Sequence, residues 1–167
     1  MRLELINILD PIFSKNAEPI MVFDNDLKKL SDDIFQVMYE NDAIGLTAVH
    51  IGVPKQIAVI DLEGKLNHPS KNSLVLVNPK IIYASENKES VEEGSVAIFS
   101  GNKVIVERPK KIKVEYQDLE GNKKELEADG LLARCIQHEI DHFSGKTILD
   151  YLSEEEMVQL YLAPEII

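Results

Sequence analysis

Near the end of the chain stands Gln137-His138-Glu139-Ile140-Asp141-His142, and no other stretch limits so sharply what the rest must build. Two histidines four residues apart on an α-helix share a face one turn apart, so both imidazoles reach one cation while Glu139 sits beside them. That is the pattern of a metal-dependent hydrolase. The flanks predict the helix: Asp129-Gly130 to cap its start, Leu131, Leu132, Cys135 and Ile136 for an apolar face, and Gly145 to end it, so that it runs through the motif. The competing reading is a chance match, a pair of solvated or hydrogen-bonded helical histidines. Such a pair needs no apolar helix around it. A ligand pair set against a core does need one, together with a third ligand from elsewhere in the chain.

A chain of 167 residues with 44% apolar content suits one globular domain, 1–167, with one core and one site. The formal net charge of -11 argues against a grip on nucleic-acid phosphates, which needs a basic surface. The basic cluster Arg108-Pro109-Lys110-Lys111, followed by Lys113, reads as a solvated strand entry. A single cysteine, Cys135, rules out an internal disulfide and suits a reducing compartment. Met1-Arg2-Leu3-Glu4-Leu5 carries an acid and no cleavage site, and no apolar run approaches membrane-spanning length. A cytoplasmic protein without a membrane partner is expected.

In chain order, Ile8-Leu9-Asp10-Pro11 and Glu18-Pro19-Ile20 predict an extended arm broken by prolines. From Asp26 to about Asn41, Leu27, Leu30, Ile34, Val37 and Met38 recur at helical spacing, with Asp32, Asp33 and Glu40 opposite. The run Ala43 to Pro54 is rich in small residues, which lets another backbone approach, as a substrate peptide adding as a strand would. Ile57–Asp61 predicts a buried strand and 62–72 a loop that leaves His68 exposed. Leu74–Pro79 and Ile81–Tyr83 predict two strands parted at the proline, while Glu86–Glu93 reads only as acidic and polar. Val104–Val106 and the alternating Ile112–Tyr116 are strands, and Asp118–Lys123 is a hairpin connection, after which Lys124–Ala128 leads into the long helix. Ser153-Glu154-Glu155-Glu156 is a capping box opening a short last helix that Pro164 ends. The class is α+β: antiparallel strands around a central motif-bearing helix, with a short C-terminal helix.

With these elements placed, the sequence resembles the peptide deformylases, metal hydrolases that take the formyl group from nascent N-formylmethionyl chains. The resemblance runs from Ile8-Leu9-Asp10-Pro11 to Asp150-Tyr151-Leu152-Ser153 and rests on three blocks in family order. Gly45-Leu46-Thr47-Ala48-Val49-His50 stands where the family has Gly-Leu-Ala-Ala-x-Gln, Glu93-Gly94-Ser95-Val96-Ala97 where it has Glu-Gly-Cys-Leu-Ser, and His138-Glu139-Ile140-Asp141-His142 where it has His-Glu-x-Asp-His. Asn78-Pro79, Arg108-Pro109 and Ala128–Arg134 agree as well. The resemblance implies a divalent cation, iron in the cell and zinc or nickel in purified material, held by His138, His142 and position 95. It implies an N-formylated peptide or nascent chain as partner and a place in N-terminal methionine processing during translation. Glu139 would take a proton from the attacking water and pass it to the leaving amine. A backbone N–H near the second block and the side chain ending the first would meet the oxyanion. The residues carried over as catalytic are Glu139, His50, Gly45 and Val96, and Ile44, Leu131 and Cys135 would line the pocket for a methionine side chain, although ordinary core residues have the same composition.

The departures fall around the cation. Ser95 replaces a thiolate with a hydroxyl that barely ionises and binds soft or borderline metals weakly. His50 replaces an amide, Thr47 and Ala97 replace an alanine and a serine, and Phe99-Ser100-Gly101 lacks the usual proline. Two arrangements follow: either Ser95, or a water beside it, takes the sulfur position in a weakened site, or His50 swings to the cation and makes a three-histidine site with His138 and His142. Cys135 is three residues before His138, but one straight helix does not readily wrap three ligands around one ion, so packing is its expected role. Reduced or altered hydrolysis is one outcome. A non-catalytic paralogue that keeps the peptide-binding cleft is the other.

Overall fold

The computed structural model describes residues 4–65, 68–95, 97 and 103–162. Val96, Phe99-Ser100-Gly101 and Pro164, singled out above, lie outside the described residues. Helix α1 (Asn25–Glu40) is followed by strands β1 (Gly45–Thr47), β2 (Ile57–Ile60), β3 (Leu74–Ala84), β4 (Lys88–Glu93), β5 (Val104–Pro109), β6 (Lys111–Gln117) and β7 (Lys123–Asp129), then helices α2 (Gly130–Asp141) and α3 (Glu154–Leu162). Short 3-10 turns occupy Pro11–Ser14, Ala48–Ile51 and Ile148–Tyr151. Five strands pair in the order β1-β2-β3-β6-β7 and β4 pairs with β5, every pairing antiparallel. The α+β class stands.

Helix α1 forms as its spacing demands. Asp24 caps it by accepting from the Leu27 N–H at 3.1 Å, and Leu27, Ile34, Val37 and Met38 are buried against Leu46, Ile57 and Val59 of the sheet. Helix α2 lies on the same sheet through Ala133, Cys135 and Ile136, which meet Ile60, Leu76, Ile112 and Val114. Leu131, expected on that apolar face, is instead 58% exposed. The helix ends at Asp141, with His142 still in helical conformation as its cap. Gly145, at a φ of +74°, then closes the turn, and a side chain there would meet the Ser14 carbonyl oxygen at 2.8 Å. The capping box of α3 is present, Ser153 and Glu156 each accepting from the other's N–H.

Four further expectations need correction. Strand β3 is one strand and does not break at Pro79. Asn78 takes a φ of +49° there, and the register slips between Val77 and Lys80, so the proline sits in a bulge where its missing N–H costs nothing. The Asn78 side chain secures that bulge, accepting from the Ile20 N–H at 2.7 Å and donating to Ile20 O and Gln117 Oε1. The polar run before Glu93 is strand β4, whose side chains are exposed except for Glu93, so no apolar alternation betrays it. Lys123–Asp129 is likewise a strand, reversed into α2 at Gly130, whose φ is +57°. Arg108 is not a solvated entry residue: it is 3% exposed and held by two carboxylates.

Candidate active site

Helix α2 brings His138, Glu139 and His142 to one turn at the sheet. Glu139 is 4% exposed and His142 fully buried. Both ring nitrogens of His142, and Oε2 of Glu139, are buried without a hydrogen-bond partner among the described residues. The turn Ala48–Ile51, which leaves β1, delivers His50 to the same point. Its ring centroid is 4.6 Å from that of His142, and one ligand atom from each of His50, Glu139 and His142 lies within 4.8 Å of the others. Phe13 backs both imidazoles edge-on, with centroids 5.4 Å from each.

His138 faces differently. Its Nδ1 is 2.9 Å from Glu93 Oε1, while Nε2 lies 3.9 Å from Glu139 Oε1 and is the nitrogen left for a ligand. Glu93, at the end of β4, is the hub of a buried ionic network. It takes Arg108 Nε at 2.6 Å and Nη2 at 2.9 Å in a bidentate pair, and Arg134 Nη1 at 2.5 Å. Arg108 also reaches Asp141 Oδ2 at 2.8 Å, and Tyr151 donates to the same oxygen. One network thus fixes the second block, strand β5 and both ends of the helical motif.

Burial pushes the Glu93 carboxyl up, but the hydrogen bonds from His138 and Arg108, with their charge, hold it at about 2. Burial lifts Glu139 to about 7, and the cationic neighbours His138 and Arg108 only partly oppose it. Burial also drives His142 well down, with His50 and His138 adding to the effect, and takes His50 to about 3. His138 moves the other way: burial opposes its charge, but the bond to Glu93 and the carboxylate of Glu139 prevail. Cys135 is raised by burial and by Glu139, so it stays a thiol and packs in the core.

A cleft of about 810 Å³ opens onto this group, lined by Ile44, Gly45, His50, Ser95, Leu131, Cys135, His138 and Glu139 among others. His142 is not part of its lining and stands behind it. Ile44 and Leu131 are 37% and 58% exposed, an apolar rim that the core does not use. Gly45 is where it is because the helix comes too near for anything larger: a Cβ there would stand 2.7 Å from Cys135 Sγ and 3.3 Å from Glu139 Cγ. Ser95 Oγ accepts from the Ala97 N–H at 3.2 Å. The sequence-predicted residues within the described parts therefore meet at one place. Phe13, Glu93, Arg108, Arg134, Asp141 and Tyr151 were not foreseen there, although all but Phe13 stand inside segments that carry the family likeness.

Residues 3–158 match the model of the polypeptide deformylase family. The chain belongs to that family. It is 42% identical over 149 residues to the peptide deformylase of Bartonella tribocorum, covering 89% of this chain and 83% of that one. Against the Rhizobium meliloti peptide deformylase it is 43% identical over 152 residues, covering 90% and 84%. The crystal structure of a peptide deformylase from Legionella pneumophila superposes with a TM-score of 0.88 at 34% identity, covering 96% of this chain and 92% of that one. No described helix is long and apolar enough to cross a membrane.

The deformylase family is metal-dependent in general, and the residues present fit a divalent cation. Two buried imidazole nitrogens without partners among the described residues cost about 1–3 kcal/mol each unless something satisfies them. Beside them, His138 has its Nδ1 taken by a carboxylate, the usual way a protein orients a ligating imidazole.

Proposed function

We propose that this deformylase-family chain hydrolyses the N-formyl group of N-formylmethionyl peptides in the cytoplasm, using a divalent cation held by His138 and His142 with Ser95 at the third position. One observation carries the reading: His142, with neither ring nitrogen partnered among the described residues, stands fully buried beside a carboxylate lifted to about 7 and behind an open cleft. The bound cation, iron or else zinc or nickel, would supply Lewis acidity to the formyl oxygen and acidify a water. Glu139 is the proton carrier. With its carboxyl near neutral, it takes a proton from water and returns it to the departing amine at little cost in either direction. The peptide lies along the edge strand β1, with its methionine side chain among Ile44, Leu131 and Cys135. The side chain of His50 meets the oxyanion.

The alternative is a repurposed paralogue that binds peptides in the same cleft without turnover, and Ser95, a neutral ligand in place of a thiolate, is what favours it. Formate release from a formyl-Met peptide, measured after loading with iron or zinc and repeated with Glu139→Ala, tests the proposal. Release that the variant abolishes supports hydrolysis. A protein that takes up neither metal and releases no formate, yet still binds the peptide, is the paralogue.

A further inference from the structure

Two departures from the family pattern, Thr47 and His50, touch each other. Thr47 ends β1 and caps the turn Ala48–Ile51, pairing with His50 in a capping box. The Thr47 backbone N–H donates to His50 Nδ1 at 3.1 Å, and its hydroxyl Oγ1 is 2.8 Å from the same nitrogen, all of it buried. A ring nitrogen that accepts a backbone N–H has its lone pair in use and carries no proton. The single proton of the neutral ring then sits on Nε2, because the tautomer is set by the bond the other nitrogen makes. His50 lines the cleft, and with Nδ1 turned to Thr47, Nε2 is the nitrogen left to face it. A protonated Nε2 has no lone pair for a cation.

We propose that Thr47 is a positioning residue that fixes His50 in its Nε2–H form, so that His50 offers the cleft a hydrogen-bond donor and is not a ligand of the cation. This rests on the deformylase reading only for what the donor meets, a carbonyl oxygen of the substrate. Its geometry accounts for both departures at once. An imidazole, unlike an amide, presents either a donor or a lone pair; the Thr47 backbone N–H selects which, and the hydroxyl that an alanine at 47 would lack holds the ring beside it. The three-histidine arrangement is thereby disfavoured by the protein itself, although His50 and His142 are close enough to share an ion.

The test is ¹⁵N imidazole NMR on the histidine-labelled full chain, without metal and after loading with zinc. His50 is expected to show the Nε2–H pattern in both states, while the ring signals of His138 and His142 move on loading. A His50 that shows the Nδ1–H tautomer, or loses its Nε2 proton when zinc binds, overturns the proposal. Thr47→Val keeps the shape and removes the hydroxyl. The backbone N–H remains, so the Nε2–H form is expected to persist while the ring, no longer held by the hydroxyl, gives broader signals that Thr47→Ser sharpens again. Valine-variant signals as sharp as the native ones overturn the part given to the hydroxyl, and a switch to the Nδ1–H form overturns the part given to the N–H. Formate release is measured separately: its absence in a chain with the Nε2–H pattern defeats the hydrolase reading and leaves the tautomer assignment standing.

Discussion

Replacing Glu93 by glutamine keeps its size and removes the charge on which three cations converge. Arg108 and Glu93 side chains are 3% and 5% exposed, so solvent screens little of their interaction. Breaking a buried ion pair by removing one partner costs about 3–5 kcal/mol. The lower end applies here, since Asp141 still holds Arg108 at 2.8 Å. An independent route agrees. At about 1.4 kcal/mol per pH unit, a carboxyl held at about 2 in place of 4.5 contributes roughly 3 kcal/mol. For a domain of this length each kcal/mol shifts the melting temperature by about 2–4 °C, so Glu93→Gln is expected to melt roughly 6–12 °C lower. Because the folded value lies below the ordinary one, the contribution is whole above pH 4.5 and drains as the pH falls toward about 2. Calorimetry of the metal-free proteins at pH 7 and at pH 3 measures both parts, with the gap between wild type and variant narrowing at the lower pH. Glu93 also orients His138, so the variant is expected to bind zinc about 10–100-fold more weakly in a chelator competition. A melting shift under about 2 °C at pH 7 would refute the claim that this hub stabilises the fold.

Ser95→Cys restores a thiolate at the third position and is expected to raise zinc affinity and formate release together. If neither changes, position 95 does not face the ion. Gly45→Ala drives a methyl to within 2.7 Å of Cys135 Sγ and is expected to cost about 1–3 kcal/mol in urea unfolding. Cys135→Ala in the same chain should recover part of that loss, whereas strict additivity of the two changes would show that the helix contact is not what requires glycine. Asp61 is pushed up by burial but held below its ordinary 3.8 by the Tyr39 hydroxyl at 2.5 Å and by the N–H groups of Ser70, Gly64 and Glu63. Its stabilisation is therefore present above pH 3.8 and lost as the pH falls below it. Asp61→Asn should flatten that acid limb of the stability curve, and an unchanged limb would assign it to other carboxylates.

What the sequence disclosed and what it hid divide along a physical line. Helix α1, strands β2 and β6 and the capping box of α3 are short-range matters, settled by period and by neighbours three or four residues away, and they were legible. Strand β3 was not. Its passage through Pro79 depends on Asn78 binding Ile20, 58 residues distant, and no local pattern announces such a partner. Glu93 is the clearest case. It stood in a quoted block with no task, because its task is defined by residues 15, 41 and 45 positions away. Periodicity cannot predict burial of Arg108 either: a charge goes inside only when its counter-charges are already there, and those come from β4 and from the end of α2.

The same line bears on why the site's departures need not mean a dead cleft. A chain that only bound peptides would gain nothing from two imidazole nitrogens and a carboxylate oxygen buried without a partner among the described residues. At about 1–3 kcal/mol apiece these would consume a large part of the 5–15 kcal/mol that keeps an ordinary domain folded. Random change would relieve such a burden easily, for instance by putting an apolar residue at 142. The side chains that hold the arrangement in place are costly in the same way, with Glu93 binding two guanidiniums and His138 at once. Such groups, and the equally costly ones that aim them, are what the proposed cation and small amide would satisfy, through two imidazoles, a carboxylate near neutral and an exposed apolar rim.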